Sequence, residues 1–311
     1  RRSAIIRAAV RVMRLAEKYS SENRERTPAD YKSHHALAVR VAGESAVLLK
    51  NEGVLPLGPG QNYLVIGDLA KKMRIQGGGS SHISTESVVS AWDALKENGL
   101  SCTFSRGYDA AAAEPDKDLE DEALRAAEDG RTILFFGGLT DLAEGEGYDR
   151  KDMKMPQNQI SLLERIQKLR NPCVFVSFSG SPYEMPFADH AEAVLQMYLC
   201  GEGSGEACAA LLTGRMNPCG KLAESFPLAA EDVPCSRYYA SGTRNVEYRE
   251  SLFIGYRYYD TYRIPVRYPF GFGLSYTNFS YENMKLSCEK GCYTVSFEIE
   301  NTGSCFGHEI S

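Results

Sequence analysis

"TILFFGGLTDLAEGEGYDRKDMKMPQNQISLLERIQKLRNPCVFVSFSG", residues 132–180, carries the pattern that decides the fold. It opens and closes on short, nearly continuous apolar runs, "TILFFGG" (132–138) and "CVFVSFSG" (173–180), rich in β-branched and aromatic residues. Between them lie a jointed acidic loop and a helical stretch near 157–170. Strands that are apolar without alternation are covered on both faces, and an intervening helix makes them parallel. The same signature extends outward in both directions. "YLVIG" (63–67), "CTFSRG" (102–107) and "AVLQMYL" (193–199) are further strand candidates, with helical stretches near 86–98, 118–129 and 204–214. The expectation is an α/β fold, a mostly parallel sheet between helices with right-handed crossovers.

The two ends read differently. Residues 1–19 place Ile5, Ala9, Val12, Met13 and Ala16 at helical spacing, an amphipathic helix with no start signal before it. Residues 20–33 are polar, contain a Pro and read as a linker. "HHALAVRVAGESAVLL" (34–49) reads as a second helix, running into the turn-rich connector "KNEGVLPLGPG" (50–60). After residue 215 the alternation stops, and residues 216–275 are irregular, with many Pro, Tyr and Gly. "YTVSFEIENTG" (293–303) then alternates with period two, as a half-buried antiparallel strand does. One or two strands do not stand alone. The tail from residue 276 therefore reads as an incomplete β-sandwich segment, and the chain as part of a larger protein.

Composition narrows the class. The chain has 311 residues, 43% hydrophobic and 24% charged, enough for one large domain or two ordinary ones. A net charge of −6 argues against a nucleic-acid partner, because phosphate contact needs clustered Lys and Arg. The arginines of the first fifteen residues sit along a helix, where a solvated face explains them. No apolar run is long enough for a membrane span, and no signal-peptide pattern is visible. Nine cysteines, an odd number, include one close pair, Cys288 and Cys292, without a second pair at metal-ligand spacing. They read as free, mostly buried thiols in a reducing, cytoplasmic compartment.

The loop "AEGEGYDRKDMKMP" (143–156) follows a strand and precedes a helix. It lies at the carboxyl end of a parallel strand, where open α/β sheets place ligands. Gly145 and Gly147 allow turns that expose Glu146. A carboxyl in a partly apolar cleft has its charged form disfavoured, so its pKa rises toward that of a general acid near neutral pH. The plainer alternative is a solvated acidic loop. Asp141, Glu144, Glu146 and Asp149 as a metal set lack His or EF-hand spacing, so no metal is expected. "RIQGGGSSH" (74–82) has no Lys-Ser/Thr pair, fails as a P-loop and reads as a close-packed loop beneath a neighbouring domain. "GEGSGEA" (201–207) has Glu206 where a dinucleotide fingerprint has its third glycine. Glu202 and Glu206 there fit the first turn of a helix through its dipole. "SFSGSP" (177–182) contains no nucleophile elbow, and His34, His35 and His190 read as structural.

Five spaced segments, in order, carry a resemblance. They are "ESAVLLKNEGVLPL" (44–57), "QGGGSS" (76–81), "EGYDRKDMKMPQNQISLLERI" (146–166), "NPCGKLAESFP" (217–227) and "YRYYDTYRIPVRYPFGFGLSYTNF" (256–279). From about residue 34 to the end the chain resembles the C-terminal portion of family 3 glycoside hydrolases, chiefly the β-glucosidases. The resemblance implies a flavodoxin-like α/β sandwich over residues 34–275. Residues 1–33 resemble the end of that family's TIM barrel with its linker, and residues 276–311 the start of its fibronectin type III-like domain.

The implied activity is that of a retaining, exo-acting β-glycosidase of β-glucosidase type, releasing terminal non-reducing sugars from β-linked glucosides or oligosaccharides. In several members of this family the Glu of "GEGYDR" is the general acid/base, which here implies Glu146. Glu144 is the alternative. Asp149 and Arg150 are expected to fix the loop as an ion pair, Arg150 through bidentate hydrogen bonds to a carboxylate. The family's nucleophile is an Asp on the barrel, and most first-subsite sugar contacts lie there too. The parts of the barrel that carry them are not among these residues, so the chain alone is expected to be inactive, with no substrate-binding residues assigned. No cofactor is implied, and the expected partner is the N-terminal barrel of the same protein. Two other readings compete. One is a non-catalytic carbohydrate-binding or interaction module of the same fold. The other is an unrelated flavodoxin-like domain that binds a nucleotide or flavin, which requires phosphate loops that neither glycine-rich stretch supplies.

Overall fold

A computed structural model describes residues 2–20, 29–85, 87–239 and 244–310. By its internal contacts the chain divides into two units, residues 1–34 and 35–311. The first contains helix α1 (Arg2–Ser20), none of whose residues is buried. Most of the expected 20–33 linker lies outside the described residues.

Helix α2 (Tyr31–Ser45) ends earlier than the sequence suggested, because its apolar continuation is a strand, β1 (Val47–Asn51). Val47, Leu48 and Leu49 are consecutive and all buried. A helix would have turned one of them to solvent, whereas a covered strand buries all three. β2 (Asn62–Ile66), β3 (Ser101–Ser105), β4 (Ile133–Gly138), β5 (Cys173–Phe178) and β6 (Ala193–Gln196) complete a six-stranded sheet in the order β1-β6-β5-β4-β2-β3. β1 runs antiparallel to β6, and every other pairing is parallel. The five parallel strands therefore follow the flavodoxin order, 2-1-3-4-5, and the winding reverses between β2 and β4.

The helices are α3 (Ala91–Glu97), α4 (Lys117–Ala127), α5 (Gln157–Ile166) and α6 (Ser204–Leu212). α3 packs with α6 and α4 with α5. The reversal of winding puts the two pairs on opposite faces of the sheet. Local signals start them: the Ser90 hydroxyl accepts the Asp93 N–H at the head of α3, and Asp116 accepts those of Asp118 and Leu119 at the head of α4. The stretch expected to be helical near 86–98 becomes α3 only from Ala91, and its residue 86 lies outside the described residues.

The core is an aromatic row across the sheet. The parallel register sets Phe135 beside Phe175, with ring centroids 5.4 Å apart, and Phe175 is 4.2 Å from Phe187. Each such buried ring contributes roughly 1.5–3 kcal/mol. β2 and β4 both give way to loops through glycine. Gly67 (φ 122°) and Gly138 (φ 127°) lie so close to the carbonyls of Phe136 and Phe178 that a Cβ at either would overlap them.

Residues 216–275, expected to be irregular, include a two-stranded ribbon of β7 (Phe226–Pro227) and β8 (Val266–Tyr268), with α7 (Tyr256–Tyr262) between them. β9 (Phe279–Glu289) and β10 (Cys292–Asn301) form an antiparallel hairpin. The expected half-buried face of β10 is exposed, with Val295, Phe297 and Ile299 all uncovered, because a two-stranded ribbon has no second layer. The cysteines are free: Cys173, Cys208 and Cys219 are buried, while Cys288 and Cys292 in the hairpin are exposed. No helix among the described residues is long and apolar enough to cross a membrane.

Candidate active site

The reversal between β2 and β4 brings the loops that follow those strands together at their carboxyl ends, with the loop after β5 beside them. The β4 loop is pinned where it starts. The buried Gln159 side chain accepts the Gly138 N–H at 2.8 Å and donates to the Gly138 carbonyl at 3.0 Å. Leu139 donates to Phe178 O at 2.9 Å, and Ala143 and Glu144 both donate to Thr140 O, closing a tight turn.

Arg74, on the β2 loop, holds that turn. Its side chain is only 4% exposed. Nε donates to Asp141 Oδ1 at 3.0 Å, Nη1 to Leu139 O at 3.4 Å, and Nη2 to Glu144 O at 2.8 Å. Nη1 also pairs with Glu144 Oε2 at 2.5 Å. Glu144 further accepts the Gly180 N–H at 2.9 Å and the Ser181 hydroxyl. Burial opposes charge on Glu144. The hydrogen bonds from Ser181, Arg74 and Gly180 outweigh it and leave the carboxyl below its ordinary range. Glu144 is a closed structural carboxylate.

Glu146 is exposed and belongs to no ion pair among the described residues. Its Oε2 accepts the Ser80 N–H at 2.5 Å, and a Cβ on Gly79 would press on it. The sequence led us to expect an apolar cleft and a raised pKa. Instead the hydroxyl and N–H of Ser80 lower it, because the carboxyl stands in solvent and its donor favours the charged form. In the 74–82 stretch, Gly79 and Ser80 meet Glu146 of the acidic loop.

Asp149 and Arg150, expected as an ion pair, bond to other partners than each other. The Tyr239 hydroxyl donates to Asp149 Oδ1 at 2.7 Å. Arg150 Nη1 donates to Ser181 Oγ at 2.9 Å and Pro182 O at 2.8 Å, in place of the expected carboxylate fork. The turn at Gly147 (φ 93°) precedes them, and Arg150 runs to the loop after β5 while Asp149 stays exposed. The four carboxylates weighed as a metal set are thus divided: Asp141 and Glu144 on Arg74, Glu146 on Ser80, Asp149 on Tyr239.

Arg74, Ser80, Ser181 and Tyr239 were not picked out from the sequence. A signal existed for the first two, a glycine-rich loop with an arginine after a strand, but strand adjacency gives it meaning. Glu224, in "NPCGKLAESFP", is a further carboxyl of this neighbourhood. Burial first and the Glu144 charge second push its pKa up. Tyr198, just beyond β6, has φ 54° and a buried hydroxyl with no partner among the described residues. Such backbone outliers gather at functional sites. On the loop after β6, whose Gly201 N–H donates to Ile75 O at 2.8 Å, both acidic residues of "GEGSGEA" meet His35 of α2: Nδ1 lies 2.8 Å from Glu202 and Nε2 2.7 Å from Glu206.

Comparison with known proteins sharpens this geometry. The model of the glycosyl hydrolase family 3 C-terminal domain matches residues 46–276. Thermostable beta-glucosidase B of Acetivibrio thermocellus is 38% identical over 312 residues, covering 98% of this chain and 41% of that protein. An exo-alpha-(1->6)-L-arabinopyranosidase of Bifidobacterium longum is 38% identical over 285 residues, covering 88% of this chain and 38% of its own. A solved family 3 beta-glucosidase of Bifidobacterium adolescentis superposes with a TM-score of 0.88 at 35% identity, covering 94% of this chain and 44% of that one. The chain therefore spans less than half the length of these relatives.

Proposed function

The chain belongs to glycosyl hydrolase family 3, whose C-terminal domain it carries, and from that premise we propose that Glu146 is the general acid/base of a retaining, exo-acting β-glycosidase. The observation that carries this reading is the contrast inside one loop: Glu146 is solvent-facing and in no ion pair among the described residues, while Glu144 is closed on Arg74. A carboxyl that must give up and take back a proton needs that freedom.

The chemistry requires two carboxyl groups roughly 5–5.5 Å apart. A nucleophilic Asp on an N-terminal barrel attacks the anomeric carbon, and Glu146 protonates the departing glycosidic oxygen. The ionised Glu146 then takes a proton from water as the water displaces the Asp from the glycosyl-enzyme. This cycle uses both protonation states. Ser80 supports the charged one; a substrate-filled, water-excluding seam beside the anionic nucleophile supports the protonated one. Residues 1–33 are assigned to the end of that barrel and its linker, and residues 276–311 to the start of a fibronectin type III-like domain. β-Linked glucosides are the proposed substrates, with release of the terminal sugar.

The test is Glu146→Gln in the full-length protein, assayed on aryl β-glucosides of graded leaving-group acidity. The expected loss is about 10²–10⁴-fold on poor leaving groups and far less on activated ones. This chain by itself, lacking the nucleophile, is expected to turn over neither. An unaffected rate profile would assign the loop a structural role and leave a non-catalytic module of the same fold.

A further inference from the structure

We infer that Arg74 is a positioning residue for Glu146; this rests on the reading of Glu146 as the acid/base. The guanidinium touches three residues of the β4 loop, at Leu139 O, Asp141 Oδ1 and both ends of Glu144. Glu146 lies two residues past the last of them. Arg74 crosses from a segment 70 residues earlier, and Ser80 on that same segment holds Glu146 itself. One loop thus grips the acid loop at two points, buried at Glu144 and exposed at Glu146.

The arginine has little left for any other task. An arginine offers five N–H donors. The Nε donor and the donors of Nη1 are engaged, one donor of Nη2 is engaged, and the side chain is 4% exposed. It is therefore not poised to bind sugar or to ionise substrate. A charged, fork-shaped group that fixes two backbone carbonyls and two carboxylates acts on geometry, and displacement of a reacting group by about 1 Å can cost about 10²-fold in rate. Lys offers a single ammonium and does not reproduce the fork.

The experiment compares Arg74→Gln, Arg74→Lys, Glu144→Gln and Glu146→Gln with the unmutated full-length protein. The readout is the ratio of kcat/KM on a dinitrophenyl β-glucoside to that on an alkyl β-glucoside. This ratio is independent of the fraction of protein that is folded. A merely structural arginine lowers both rates together and leaves the ratio unchanged. A positioning arginine raises the ratio, because only the alkyl substrate needs the proton delivered in place. The expected rise is about 10–100-fold for Arg74→Gln and smaller for Arg74→Lys. Glu144→Gln, which cuts the same contact from the other side, is expected to raise it too and serves if Arg74→Gln fails to fold. An unchanged ratio in the Arg74 and Glu144 variants, with a raised ratio in Glu146→Gln, overturns the inference and keeps Glu146 as the acid. An unchanged ratio in Glu146→Gln removes the acid assignment, and this inference falls with it.

Discussion

Glu144 and Glu146 stand two residues apart on one loop, flanked by the same glycine, yet they occupy opposite physical worlds. The first half of the loop, from Leu139 to Glu144, is a backbone turn nailed to Arg74, Gly180 and Ser181. The second half, from Glu146 to Asp149, faces solvent, and among the described residues its carboxylates meet one neighbour each, Ser80 and Tyr239. On the proposed reading this is a division of labour: one acid immobilises the loop so that the other can change protonation state without moving it.

The sharpest way to break this comparison is stability. Glu144→Ala leaves the buried Arg74 with only the exposed Asp141 carboxylate as counter-charge, and is expected to destabilise the fold by about 3 kcal/mol. Glu146→Ala is expected to leave it nearly unchanged, as an exposed substitution does. Urea denaturation of the two variants checks this, and equal losses would erase the distinction.

A second measurement sharpens it by pH. The folded-state pKa of Glu144 is depressed, so its contribution is present above its ordinary value of 4.5 and is lost as pH falls through the lowered one. Glu144→Gln should therefore flatten the acid limb of the stability profile, and more so than Glu146→Gln, whose carboxylate is fully exposed.

The smallest expected effect lies on the loop after β6, where His35 bridges Glu202 and Glu206. The Glu202 hydrogen bond is the largest cause of its raised pKa; burial opposes it, and Glu206 adds to it. A raised histidine contributes stability that is full below about 6.5 and lost as pH rises through the folded value. His35→Gln should remove that alkaline loss, an effect of about 1 kcal/mol or less for a partly exposed pair. A profile that stays steep above neutrality in His35→Gln would place the titration elsewhere.

Much of the fold was legible because it is local. Runs such as "TILFFGG" and "CVFVSFSG" are apolar without alternation, and that alone demands cover on both faces. The misreading at Val47–Asn51 came from the same rule: three consecutive apolar residues after a helix look like its continuation until an edge position beside β6 claims them. The exposed face of β10 shows the reverse case, a correct strand pattern whose burial depends on layers the hairpin does not have.

The sequence by itself determined the alternation of strands and helices, the loop at the end of β4 and the motif that singles out Glu146. The tertiary structure alone decided which of two carboxylates is free. Locally the two are nearly equivalent, each beside a glycine on the same loop. What separates them is Arg74, brought from 70 residues away by a strand order that reverses between β2 and β4. Burial and ion pairing arise from contacts between distant segments, and no window of sequence around residue 144 or 146 contains them.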